Sequence, residues 1–318
     1  MSPPVAWVDD LVARARKGDP RAVARLISLV EDASPQLREV SAGLAPYAGH
    51  AQIVGITGSP GVGKSTSTSA LVAALRETGQ RVGVLAVDPS SPFTGGALLG
   101  DRVRMQDHAT DAEVYIRSMA TRGHLGGLAW ATPQALRVLD AAGCDVVLVE
   151  TVGVGQSEIE IAGLADTTVV LLAPGMGDGI QAAKAGILEI GDVYVINKAD
   201  RDGANQVRRE LRTMLGMADQ LEGDWRPPIV LTVATKAEGV DELAAKIAEH
   251  RAWANESGEL ERRRVRRARD EIEAIAVTEL RSRFADLHGD ERLDRLAKAV
   301  TQGELDPYSA AEDIVASM

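Results

Sequence analysis

The chain has 318 residues, 45% of them hydrophobic and 25% charged, enough to bury a full core as one large domain with helical additions or as two domains. A net charge of −11 and a pI near 5.1 argue against a partner held by bulk charge, so no nucleic acid is expected. One cysteine rules out an internal disulfide framework, no apolar stretch approaches the roughly 20 residues of a membrane span, and the N-terminus lacks the apolar core of a signal peptide; the expectation is a soluble cytoplasmic protein with no membrane partner.

Residues 1–48 read as an N-terminal helical extension. Two helical patterns there are broken at Gly18-Asp19-Pro20 and Ser34-Pro35, and Val23, Leu26, Ile27 and Val30 fall at helical spacing. Over residues 49–254 short β-branched runs alternate with longer amphipathic stretches. The predicted strands are Ile53–Thr57, Val82–Val87, Val114–Arg117, Val146–Val149, Thr168–Leu172, Val193–Ile196 and Ile229–Thr232. Such alternation predicts an α/β fold with a mostly parallel sheet flanked by helices. Cys144, just before an apolar run, reads as a buried structural thiol. Residues 255–318 form a charged helical arm, in which Arg262 to Arg269 reads as a solvated face. Ile272, Ile275, Val277, Leu280, Phe284 and Leu287 recur at roughly helical spacing along it.

Ligands of an open α/β sheet bind outside the carboxyl ends of its strands, and that is where the informative residues of this sequence fall. After the first strand stands Gly58-Ser59-Pro60-Gly61-Val62-Gly63-Lys64-Ser65, followed by Thr66 and a helical stretch. This matches GxxxxGK[ST], the signature of a P-loop NTPase. The glycines let several N–H groups point inward at a polyphosphate, Lys64 reaches the outer phosphates, and the Ser65 hydroxyl can ligate Mg²⁺. Asp88, after the second strand, is a candidate for metal binding or for positioning water. Asp101 follows a glycine-bearing stretch, Thr94 to Gly100, and is a second such acid. Glu150 takes the place of the acid that usually follows the metal-side strand, with Gly153 three residues on to offer an N–H to the terminal phosphate. Arg102, Arg104, Arg117 and Arg122 all stay open as cationic stabilisers, and Gln156 is a weak candidate for orienting water.

Asn197-Lys198-Ala199-Asp200 decides the base. Guanine presents N1–H and the N2 amine side by side, and one carboxylate accepts both. Asp200 is the residue for that, while Asn197 and the Lys198 stem brace the base and neighbouring loops. Adenine lacks the donor pair and would leave the carboxylate unsatisfied. The expected ligand is therefore GTP or GDP.

The segments GITGSPGVGKST, AVDPSSPFTGGALLGDRVRM, YIRSMATRGHLGGLA, VLVETVGVGQSE and NKAD, in this order, resemble the methylmalonyl-CoA mutase-associated GTPases, the MeaB/ArgK family of G-protein chaperones. The resemblance is dense over residues 50–240, with Asp88 to Met105 its strongest discriminator. It implies a GTPase that gates cofactor loading into an adenosylcobalamin-dependent methylmalonyl-CoA mutase and protects that enzyme from inactivation. It also implies phosphate contacts at Gly58 to Thr66, magnesium surroundings from Ser65, Asp88, Asp101 and Glu150, and base recognition by Asn197, Lys198 and Asp200. Pro174 to Gly186, with Gly177-Asp178-Gly179 and Lys184, resembles a segment by which such proteins answer their mutase, and the C-terminal arm would make a homodimer. Where the family carries a Ser-Ala pair near the base, Val233-Ala234-Thr235 stands here, so only backbone contacts carry over. Two alternatives remain: a metallochaperone GTPase delivering nickel or cobalt, and a kinase acting on a transport protein. The sparse histidines, His108 and His124 among them, and the missing His/Cys cluster weigh against the first, and the guanine motif weighs against the second.

Overall fold

The computed structural model describes residues 6–88, 108, 110–120, 131–151, 157–175, 189–217, 223–285 and 291–316. All seven predicted strands are present: β1 (Gln52–Thr57), β2 (Val82–Asp88), β3 (Val114–Ala120), β4 (Val146–Thr151), β5 (Thr167–Leu172), β6 (Val193–Asn197) and β7 (Ile229–Thr232). They form one parallel sheet in the order β3-β2-β4-β1-β5-β6-β7. β1, β4, β5 and β6 are buried along their whole length, which is why they read as continuous apolar runs without strand alternation. β1 lies at the point where the chain first builds one side of the sheet (β2, β3, β4) and then the other (β5, β6, β7). Its carboxyl end is thus the topological switch point, the place in such sheets where ligands bind.

Helices cover both faces. On one face lie α1 (Ala6–Arg16), α2 (Pro20–Glu31), α3 (Leu37–Leu44), α5 (Thr132–Ala141) and α6 (Ser157–Leu164). Leu11, Leu26, Leu139 and Ile161 pack there with Leu85, Val147 and Val149 of the sheet. The helix α2 starts where its sequence says it should. Asp19 accepts from the backbone N–H groups of Arg21 and Ala22, and Pro20 occupies the first helical position, where no N–H is needed. Val23, Leu26, Ile27 and Val30 make its buried stripe. On the other face α4 (Lys64–Glu77) and α8 (Val240–Glu256) bury Leu71, Val72, Leu243 and Ile247 against Val54, Leu148 and Val195. The helix α7 (Ala204–Leu215) covers β5 and β6 through Val207 and Leu211. Cys144 is buried on the α1, α2, α3, α5 and α6 face, and burial pushes its thiol pKa up to about 12.

The chain divides into two compact units, Met1–Arg266 and Arg267–Met318. α9 (Glu259–Ala285) contributes to both. Its first turns carry a correction to the expected solvated arginine face. Arg263 makes two hydrogen bonds to Asp192, at 2.7 and 2.9 Å, and Arg264 bonds Asp166 at 2.9 Å. Both carboxylates also accept backbone N–H groups at the amino ends of strands, Asp192 from Thr168 and Asp166 from Ile53. His250, fully buried on α8, lies 3.3 Å from Asp192 and bonds Thr167 at 2.9 Å. Burial pushes the Asp192 carboxyl upward, but the hydrogen bonds from His250 and Arg263 outweigh that and hold it below the ordinary carboxylate range. Spacing alone could not distinguish these two arginines from their solvated neighbours, because their partners lie some 70 to 100 residues away in sequence.

The second unit contains α10 (Glu291–Thr301) and α11 (Pro307–Ala316), joined by an ion pair between Arg292 and Asp313 at 3.1 Å, with Ile314 buried. Ile272, Ile275, Val277 and Leu280 are exposed, while the Phe284 side chain and Leu287 lie outside the described residues. No helix among the described residues is long and apolar enough to cross a membrane.

Candidate active site

The glycine-bearing loop leaves β1 at Thr57 and enters α4 at Lys64. Two glycines are required by geometry. Gly58 has φ +139°, and a Cβ there would lie 2.3 Å from the Leu171 carbonyl oxygen; Gly63 has φ +97°, and its Cβ would lie 2.5 Å from Asn197 Nδ2. Val62 is fully buried and roots the loop in the core, while Pro60 and Gly61 form its exposed tip. Lys64 is buried, and its ammonium donates to the carbonyls of Gly58 at 2.6 Å and Ser59 at 3.3 Å. A fixed positive charge therefore sits inside the turn, at the N-terminus of a 14-residue helix whose first N–H groups add to the positive field.

Ser65, the next residue, donates its hydroxyl to Glu150 Oε1 at 2.6 Å. Glu150 stands on β4 in register with Ile56 of β1 on one side and Ala86 of β2 on the other, buried to 2% exposure. The alcohol and carboxylate are hard oxygen donors held side by side, and that donor set fits Mg²⁺. Thr66 follows in the first turn of α4. Asp88 ends β2, two residues beyond Ala86. Asp101 and Gly153 lie outside the described residues, as do Arg102, Arg104, Arg122, His124, Gln156, Gly177 to Gly179 and Lys184. Arg117 is accounted for by structure, since it pairs with Glu31 and bonds Ser28 at 3.2 Å, both on α2. His108 bonds Ser69 on α4 at 3.0 Å.

The Asn197-Lys198-Ala199-Asp200 turn is bonded directly to the glycine-bearing loop. Asn197, the last residue of β6, donates its Nδ2 to the Val62 carbonyl at 2.9 Å. Its Oδ1 accepts from Thr232 Oγ1 at 3.2 Å and from the Ala234 N–H at 3.1 Å. One buried amide therefore joins β6, the loop after β1 and the loop after β7. Lys198 sits in the left-handed region, φ +58°, and donates to the Gly61 carbonyl at 2.6 Å. Asp200, two residues on, is partly exposed and lies 3.4 Å from the Lys236 ammonium. Val233, Ala234 and Thr235 follow β7, and the short 3-10 helix Ala234–Lys236 brings them beside Asn197. The structure thus draws Gly58 to Ser65, Glu150, Asn197, Lys198 and Val233 to Thr235 to one end of the sheet. Lys236, in the same loop after β7, stands beside Asp200 there, a placement the sequence signalled only by its adjacency to Val233-Ala234-Thr235.

The sequence matches the family described as methylmalonyl-CoA mutase-associated GTPase MeaB over residues 23–288. A Pyrococcus abyssi protein, provisionally named a GTPase, is 50% identical over 97% of this chain and 96% of its own length. GTPase ArgK of Escherichia coli is 38% identical over 80% of each chain. Among solved structures, a LAO/AO transport system kinase superposes with a TM-score of 0.73 at 27% identity, covering 99% of this chain and 98% of its own. The phosphate loop, the buried Ser65–Glu150 pair and the NKAD turn are thus carried on a chain that belongs to the methylmalonyl-CoA mutase-associated GTPase family.

Proposed function

We propose that this protein hydrolyses GTP to GDP and phosphate, and that the cycle serves as a chaperone for an adenosylcobalamin-dependent methylmalonyl-CoA mutase, gating cofactor loading and protecting the enzyme from inactivation. The observation that carries the nucleotide part is the Asn197 junction, which bonds the guanine-reading turn to the phosphate loop and so couples base and phosphate recognition. Family membership supports the mutase as partner.

In this reading the N–H groups of Gly58 to Thr66 cradle the phosphates and Lys64 moves its ammonium from the loop carbonyls to the outer phosphate oxygens. Ser65 and Glu150 would hold Mg²⁺, with Asp88 and Asp101 proposed to complete its surroundings. The ion supplies positive charge against the oxygens on which negative charge develops. Asp88 and Asp101 are further proposed to position the attacking water, and Gly153 to sense the terminal phosphate. Asp200 accepts N1–H and N2–H of guanine. The sequence carries no glutamine at the Ras-type spacing from Gly153, so turnover is expected to be slow alone and faster with the partner. The exposed row Ile272, Ile275, Val277 and Leu280 supports residues 255–318 as a homodimer arm.

The likeness to a transport system kinase supports a second reading, transfer of the γ-phosphoryl group to a protein acceptor. Turnover of γ-labelled GTP, with ATP as control and with or without the mutase, tests both. Mutase-stimulated release of free phosphate is the expected outcome. Label on a protein would favour the kinase, and a preference for ATP would overturn the guanine assignment.

A further inference from the structure

We propose that Lys236 is a specificity-determining residue of the base site, donating from its ammonium to O6 of guanine beside the Asp200 carboxylate. The inference rests on the guanine reading and deepens it. Lys236 Nζ lies 3.4 Å from Asp200 Oδ2, so a cation and a carboxylate stand next to each other where the purine edge would be read. Guanine presents the acceptor O6, then N1–H, then the N2 amine. Lysine followed by carboxylate complements that order atom by atom. Adenine presents an amine and then a ring-nitrogen lone pair, so both groups would meet like partners.

Backbone donors that could otherwise take O6 are mostly committed. The Ala234 N–H bonds Asn197 Oδ1 at 3.1 Å, the Lys236 N–H bonds the Val233 carbonyl at 2.8 Å, and the Ala237 N–H bonds the Ala234 carbonyl at 3.3 Å. The Thr235 N–H is the competing backbone donor. The loop that carries Lys236 is closed by a bridge between Val233 and Glu238, with Ala237 held at φ +56°, a conformation alanine rarely adopts. That closure fixes the turn that carries Lys236, and its side chain is 55% exposed beside Asp200.

The test is calorimetric binding of GDP, 6-thio-GDP and ADP to the wild type and to Lys236→Met, which keeps an apolar stem on an exposed loop. 6-Thio-GDP retains N1–H and the N2 amine but replaces O6 with a poor acceptor. The expected result is about tenfold weaker GDP binding by Lys236→Met. The variant should also lose the wild-type preference for GDP over 6-thio-GDP. Unchanged GDP affinity overturns the inference. So does a preference for GDP that persists in the variant, which would assign O6 to the Thr235 N–H. ADP binding to the wild type as tightly as GDP is a separate signature and would overturn the guanine reading itself.

Discussion

At the carboxyl end of the sheet the side chains of Lys64, Lys198 and Asn197 donate to carbonyls of an irregular glycine-bearing loop. At the amino end the carboxylates of Asp192 and Asp166 are met by backbone N–H groups and by two arginines of α9. The first end places cationic donors where a ligand could compete for them, on backbone that only glycine can supply at Gly58 and Gly63. The second end pairs buried carboxylates with groups of the protein itself, next to the fully buried His250. Chemistry needs groups that can exchange partners; anchoring needs groups that cannot. The two ends of one set of strands divide those tasks.

That division can be broken at either end. Lys64→Ala removes the charge inside the phosphate loop and is expected to lower GTP turnover about 10³-fold, measured as phosphate release, with a thermal midpoint close to that of the wild type. Asp200→Asn should weaken GTP roughly 10²-fold and shift preference toward xanthosine triphosphate; unaltered GTP affinity would reject its role. Arg263→Ala should act the opposite way. Leaving Asp192 buried without its bidentate partner is expected to cost about 2–4 kcal/mol of stability by denaturant unfolding, while GDP affinity of the folded fraction stays near wild type. If GDP affinity fell with stability, the two ends would not be independent.

The acid limb of stability sharpens the same comparison. Asp192 is held below the ordinary carboxylate range, so its contribution is fully present above the unfolded value near pH 4 and is lost as pH falls through the lower folded value. Asp192→Asn should flatten that part of a stability-against-pH curve, whereas Asp200→Asn should leave it alone. The smallest effect concerns Cys144. With its thiol pushed up to about 12 and buried, alkylation at pH 8 should be negligible in the folded protein and rapid after unfolding. Labelling of the native chain at the unfolded rate would contradict the core placement.

The central strands were legible because they are buried on both faces, and continuous β-branched runs are local signals; all seven strands appear within a few residues of their expected ends. The glycine-bearing loop and the Asn197-Lys198-Ala199-Asp200 turn stood out in the sequence because the chemistry proposed for them requires particular residues in consecutive positions, and the fold brings the two together. Not legible were contacts made between distant stretches. Arg263 and Arg264 looked like Arg262 and Arg266 until Asp192 and Asp166 stood opposite them. His250 carried no motif, and its burial depends on Thr167 and Asp192 arriving from other elements. Lys236 belonged to no consecutive pattern, and its meaning came only when β6 and β7 paired in register and brought it beside Asp200. What one segment must do by itself, curl through Gly58 and Gly63 or run buried through a sheet, the sequence determined alone. Which charges meet, and at which end of the sheet, the tertiary structure decided, because Coulombic and hydrogen-bond energies depend on distances that only the folded chain sets.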